Sequence, residues 1–288
     1  MIDGLRKLPE ALLFDLDGTL YRGDERVPGA DRLVRALEER GVRCWFVTNN
    51  SSRTPEEVAL HLEAMGIPAT PDQVVTSATA AADYVRRTYP EAGVYVIGER
   101  GLKMAMAEAV AFVANESGEA AGAEAPDRKV DIVVQGIDRE FTYERMTTAV
   151  RHILNGAAYI QTNPDRLLPV SGGFLPGAGS LGAAIEAATG VKPIVIGKPS
   201  PIIMDYALRL AGAAAERAWV IGDNPHTDLA AARDSGCPSI LVLTGLCSRD
   251  DWRSRCEAAD VTPDAVCAGP DELAELLLPL LDGADQAL

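Results

Sequence analysis

The chain of 288 residues is expected to be an α/β protein with a parallel sheet and an inserted second α/β domain. Two observations predict this. Short apolar runs alternate with helix-patterned segments through short loops, the signature of strand–helix–strand units. The polar landmarks that follow the first strands then disappear near Ser77 and resume at Pro193. These switches divide the chain into one domain over residues 1–76 and 193–288 and an inserted domain over 77–192.

The first strand is the run Leu12-Leu13-Phe14, too short for a helix and followed by Asp15-Leu16-Asp17-Gly18-Thr19. Alternation along a strand would point Asp15 and Asp17 the same way. Residues 21–29, rich in Gly, Asp and Pro, read as a flap or hairpin. Residues 30–40 carry Leu33, Val34 and Leu37 on one face, a helix stopped by Gly41. Residues 42–47 form a second strand ending in Thr48-Asn49-Asn50. Thr54, Pro55 and Glu57 then supply the cap, first-turn proline and acidic third position of a helix.

In the inserted block, helices are expected over 78–89, 102–110, 143–155 and 177–189, with strands over 93–98, 130–136 and 158–161. Residues 115–127 read as an exposed loop. After Pro193 come a strand over 194–196, Gly197-Lys198-Pro199-Ser200-Pro201 and a helix through Leu210. A strand over 218–221 leads into Gly222-Asp223, and Asp228 opens an alanine-rich helix to Ser235. One more strand over 239–243 and a leucine-rich helix over 271–281 close the chain.

Composition narrows the function. The chain is 47% hydrophobic and 24% charged, an ordinary globular balance. Its net charge of −15 argues against nucleic acid or an anionic membrane surface as partner, since both need a basic face. A small anionic substrate needs only a local cationic pocket. No stretch reaches the ~20 apolar residues of a membrane span, and residues 1–10 lack the apolar core of a secretory signal. Five cysteines without a CxxC pair fit free thiols in a reducing cytoplasm.

Four polar stretches each follow an expected strand: Asp15 with Asp17, Thr48 with Asn49, Lys198, and Asp223 with Asp228. Sites in open α/β sheets form beyond the carboxyl ends of strands, so all four can converge. Carboxylates at one point call for a hard divalent cation, and oxygen donors without thiolate or imidazole suit Mg²⁺. A hydroxyl, backbone amides and an ammonium are what a phosphoryl group needs.

These stretches resemble the four motifs of the haloacid dehalogenase (HAD) superfamily of phosphatases. Thr162-Asn163-Pro164-Asp165, Pro176-Gly177-Ala178-Gly179-Ser180 and Gly197-Lys198-Pro199-Ser200-Pro201 are similar to the subfamily of NagD, the 4-nitrophenyl phosphatases and chronophin. The stretch from Gly136 to Tyr143 most resembles its acid sugar phosphatase branch. The resemblance implies a Rossmann-like core with a C2-type cap, and a Mg²⁺-dependent phosphatase of small phosphomonoesters of sugar phosphate, glycerol phosphate or phosphoglycolate type. It implies Asp15 as the nucleophile, Asp17 as general acid and base, and metal held by Asp15, the Asp17 carbonyl and Asp223. Asp228 would orient metal waters, while Thr48, the Asn49 backbone and Lys198 bind phosphate. It also implies a homodimer through the cap.

Several residues keep two readings. Asp228 either orients waters or favours its helix start, where negative charge is stabilising. His226 reads as a loop residue rather than an acid/base. The segment 162–165 is either a structural turn or a substrate contact. Leu167 and Leu168 either line a non-aromatic substrate pocket or pack in the cap core. Arg139 or Arg166 either meets a second anionic group or lies on the surface. A non-catalytic phosphometabolite sensor would be expected to have lost Asp15, Asp17 or Lys198. A phosphotransferase would keep the same motifs, and a true dehalogenase would need neither Asp17 nor Asp223.

Overall fold

The strand Ala11–Phe14 is buried at every position, on both faces, as an inner strand of a parallel sheet must be. It is the axis of the first of two units. The computed structural model describes residues 8–114, 129–170 and 173–284. The loop expected over 115–127 lies outside the described residues, as do residues 1–7 of the amino-terminal segment. Among the described residues no helix is long and apolar enough to cross a membrane.

The first unit comprises Met1–Thr48, Glu56–Val75 and Lys198–Leu288, and the second Asn49–Pro55 and Thr76–Gly197. The six-stranded sheet runs in the order Ala265–Cys267, Ser239–Val242, Ala218–Gly222, Ala11–Phe14, Arg43–Thr48, Val74–Thr76. Ala11–Phe14 pairs in parallel with both inner neighbours, Phe14 lying opposite Ile221 on one side and Phe46 on the other. Leu12, Phe14, Leu33, Leu37, Phe46, Leu62 and Trp219 pack into one core. Burial of this size drives folding through the apolar area removed from water. The helix Ala30–Glu38 contributes Leu33, Val34 and Leu37 to that core, as its 3–4 spacing anticipates.

The second unit holds a five-stranded parallel sheet in the order Ile194–Val195, Ala158–Gln161, Ile132–Gln135, Gly93–Ile97, Phe112–Val113. Tyr95, Ile97, Val133, Ile153, Tyr159 and Ile185 form its core. Thr76 and Thr142 cap the helices Ser77–Thr88 and Tyr143–Leu154 by accepting from Thr79 and Arg145 backbone N–H groups.

The structure differs from the sequence expectations at four places. The strand after Pro193 pairs with Ala158–Gln161 at the edge of the second sheet instead of opening the return of the first. Two residues of ladder carry no signal of which sheet they will join. Residues 167–176 form an antiparallel hairpin, Leu167–Val170 with Gly173–Pro176, where no element was assigned. Its Leu167 is 59% exposed, so that residue is not part of a core. Short strands at Val74–Thr76, Phe112–Val113 and Ala265–Cys267 and the helix Trp252–Ala258 were also not anticipated. Two or three residues are too few to display a period. Finally, Pro225–Leu229 forms a π-helical turn, not anticipated, ahead of the helix Ala230–Ser235. Such single turns are frequent at functional sites.

Candidate active site

Sheet order explains why distant residues meet. Three neighbouring strands, Ala218–Gly222, Ala11–Phe14 and Arg43–Thr48, end at the same level. The Asp15 N–H donates to the Ile221 carbonyl at 2.8 Å, so Asp15 leaves the sheet beside Gly222. Thr48 ends its strand nearby, and Asp223 follows Gly222. A Cβ on Gly18, which has φ +88°, would stand 2.5 Å from Asp223 Oδ2. Such a conformation strains any other residue. A Cβ on Gly245 would likewise collide with the Asp223 carboxylate, and one on Gly222 with Asp228.

Lys198 is the hub. Its side chain is 3% exposed, and its Nζ lies 2.6 Å from Asp15 Oδ1, 2.7 Å from Asp228 Oδ1 and 3.0 Å from the Val47 carbonyl. The ammonium donates to Asp15 and to the Val47 carbonyl and forms an ion pair with Asp228. Lys198 precedes a cis peptide to Pro199 and the helix Pro201–Ala211, whose N-cap Ser200 accepts from the Ile202 N–H. The other oxygens are also held. Thr19 Oγ1 donates to Asp15 Oδ2 at 3.2 Å, the Leu246 N–H to Asp223 Oδ2 at 2.7 Å, and the Asn224 N–H to Asp228 Oδ2 at 3.1 Å. None of Thr19, Val47, Gly245 or Leu246 was anticipated. A backbone donor or acceptor leaves no mark on residue type, although the glycine at 245 is such a mark in retrospect.

The electrostatics of the cluster are unbalanced. Oxygens of Asp15, Asp223 and Asp228 lie within 4.8 Å of one another. One ammonium cannot neutralise three carboxylates. Burial, followed by repulsion from Asp228, raises the Asp15 pKa, and burial followed by repulsion from Asp15 and Asp228 raises that of Asp223. Burial opposes the charge on Lys198, but Asp15 and Asp228 outweigh it and hold the ammonium charged. An all-oxygen set with excess negative charge fits a hard divalent cation. Cys247 and Cys256 are buried in a separate apolar cluster.

Asp17 is exposed, beyond the strand end, and Tyr21 bridges to it at the base of a hairpin, Tyr21–Arg22 with Glu25–Arg26. Partial desolvation raises its pKa, while N–H groups of Gly23 and Gly18 pull the other way. Thr48 is buried at the sheet's carboxyl edge.

Asn49 belongs to the second unit. There its side-chain amide donates to Asp165 Oδ2 at 3.1 Å, and its carbonyl accepts from Asn163 Nδ2 and Ser77 Oγ at 2.8 and 2.7 Å. The Asp165 N–H closes an Asx turn onto Asn163. The segment 162–165 therefore clasps the backbone of Asn49, a structural role. Arg139 is engaged by both oxygens of Glu99, at 2.8 and 2.7 Å. His226 is exposed within the Pro225–Leu229 turn, its backbone N–H donating to the side chain of the N-cap Asn224.

Comparison with known proteins agrees with this geometry. Residues 12–117 match a family of haloacid dehalogenase-like hydrolases, and residues 195–275 a second HAD-hydrolase-like family. The chain is 43% identical over 244 residues to the 5′-nucleotidase YutF of Bacillus subtilis, covering 85% of this chain and 91% of that one. It is 39% identical over 246 residues, with the same coverage, to the acid sugar phosphatase of Staphylococcus epidermidis. Among solved structures, the p-nitrophenyl phosphatase of Archaeoglobus fulgidus superposes with a TM-score of 0.85 at 31% identity, covering 94% of this chain and 100% of that one. The 4-nitrophenylphosphatase of Thermotoga maritima gives 0.82 at 34% identity, with 96% and 99% covered.

Proposed function

This chain belongs to the haloacid dehalogenase-like hydrolases and is a phosphatase, and from that premise we propose that it is a Mg²⁺-dependent hydrolase of small phosphomonoesters working through a phosphorylated Asp15. The observation that carries the proposal is the Asp15–Lys198–Asp228 chain of charges, with Asp223 beside it. A carboxylate nucleophile needs a fixed oxygen and a cation over the group it attacks. Asp15 has both: Lys198 and Thr19 each hold one of its oxygens.

Each side chain has a role in the proposed reaction. An Asp15 oxygen attacks phosphorus, and the bond from phosphorus to the ester oxygen breaks. Asp17 gives its proton to the departing alkoxide, and its raised pKa helps it to hold that proton beforehand. Water then attacks the phosphorus of the aspartyl-phosphate and gives a proton to Asp17. The bond to Asp15 breaks, inorganic phosphate leaves, and both groups return to their starting states. Lys198 and the Thr48 hydroxyl would bind the transferring group's oxygens. Mg²⁺ would be held by Asp15, Asp223 and the Asp17 carbonyl, with Asp228 behind, and would supply positive charge to the phosphoryl oxygens.

The relatives named above differ in leaving group, from nucleoside to sugar to nitrophenol, while sharing the phosphate ester. We take this chain's substrates from the same range, with sugar phosphate, glycerol phosphate or phosphoglycolate foremost. Phosphate release across such a panel, with Mg²⁺ or EDTA, tests the reading. Rapid acid quenching should leave phosphate on Asp15, located by peptide mass analysis. Turnover that survives Asp15→Asn, or full activity in EDTA, would sink it.

A further inference from the structure

The hairpin after Asp17 has two tethers within the first unit. On one flank the Arg22 Nε donates to the Thr244 carbonyl at 2.6 Å, and Thr244 Oγ1 donates to the Gly18 carbonyl at 2.6 Å. At the tip stands His61, from the helix Pro55–Ala64. Its Nε2 lies 3.2 Å from the Gly23 carbonyl, which selects the tautomer that donates from Nε2. Its ring meets the Tyr21 ring edge-on, centroids 5.1 Å apart at 82°. The side chain is 18% exposed, and Asp24 Oδ1 is 4.0 Å from the same nitrogen.

Gly23 faces two ways. Its carbonyl accepts from His61, and its N–H side favours the charged form of the Asp17 carboxyl. With φ +59° it sits in a turn that only the surrounding contacts restrain. Tyr21, which carries the other His61 contact, accepts the Gly18 N–H at 2.7 Å and bridges to Asp17. Both contacts of the ring therefore converge on the backbone that frames Asp17.

We propose that His61 is a positioning residue for Asp17: it pins the Gly23 turn and the Tyr21 ring, and so sets the direction in which Asp17 delivers its proton. The inference rests on Asp17 being the proton donor. A histidine that only packs a helix against a hairpin would affect folding but not proton delivery.

Leaving groups separate the two. An alkoxide is a strong base and needs a proton as it departs, whereas 4-nitrophenolate leaves without one. The value of kcat/KM reports steps up to the phosphorylation of Asp15, so the later attack by water does not enter. The ratio of kcat/KM for the best alkyl ester of the panel to that for 4-nitrophenyl phosphate is also unaffected by a lower fraction of folded enzyme. Asp17→Asn should lower this ratio steeply. His61→Ala should lower it roughly 3–10-fold, the size expected for one lost orienting hydrogen bond. His61→Gln, whose amide N–H can reach the same carbonyl, should restore it. An unchanged ratio in His61→Ala, or a His61→Gln variant no better than alanine, overturns the proposal while leaving the Asp17 reading intact. An unchanged ratio in Asp17→Asn overturns both.

Discussion

Replacing Lys198 by methionine keeps a long unbranched side chain and removes the charge that the buried carboxylates share. The cluster then changes from three carboxylates with one ammonium to three carboxylates alone. Lys198 and Asp228 are 3% and 2% exposed, so water does little to screen the change. Removing one partner of a buried ion pair typically costs ~3–5 kcal/mol, because the other charge is left uncompensated. At a urea slope of ~1–3 kcal/mol per molar, the unfolding midpoint should fall on the order of 1–5 M. Trp45, Trp219 and Trp252 all lie in the first unit, so tryptophan fluorescence in EDTA follows that unit alone.

The deficit should depend on pH with a defined sign. Asp15 and Asp223 already have raised pKa values, and loss of Lys198, which lowers both, raises them further. Carboxyls with folded pKa above the unfolded value favour folding below about pH 4 and lose that contribution as pH rises through the folded pKa. The variant should therefore approach the parent in acid and fall away toward neutrality. Adding Asp228→Asn, which removes one negative charge and keeps an acceptor for the Asn224 N–H, should recover part of the loss. A Lys198→Met protein as stable as the parent at neutral pH in EDTA would refute this account. So would a double variant weaker than Lys198→Met alone. Turnover should fall roughly 10²–10³-fold, as for the loss of one oxyanion donor.

Other outcomes follow from the same geometry. Gly245→Ala drives a methyl into the Asp223 carboxylate; it should raise the Mg²⁺ concentration for half-maximal activity and cost ~1–3 kcal/mol by overpacking. Gly41→Ala, at φ +70° with open space around it, should cost only ~1 kcal/mol of backbone strain and leave turnover unchanged, as denaturation and activity assays can check. All five cysteines are buried and unpaired, with Cys44, Cys237 and Cys267 pushed up to about 12 by burial and Cys247 to about 11. A thiol-exchange reagent at pH 8 should count none in the folded enzyme and five after denaturation, since the thiolate is the reactive form.

The chain by itself determined the parallel α/β class and the position of the chemistry. An apolar run ending in Asp15-Leu16-Asp17, and others ending at Thr48 and at Asp223, are local patterns, readable because strand burial and strand ends are written in neighbouring residues. Sheet order was not written there. That Asp15 emerges between the strands leading to Thr48 and Asp223 depends on two pairings, one of them between residues more than two hundred apart. The strand Ile194–Val195 was assigned to the wrong sheet for the same reason, since two residues specify no partner. Only the tertiary structure showed that Lys198 donates to Asp15 and the Val47 carbonyl while pairing its charge with Asp228. It also turned the 162–165 motif into a clasp on Asn49 and joined His61 to the hairpin that frames Asp17. A residue type announces what a side chain can do; which atom it meets is decided by non-local packing, where sequence distance carries no information.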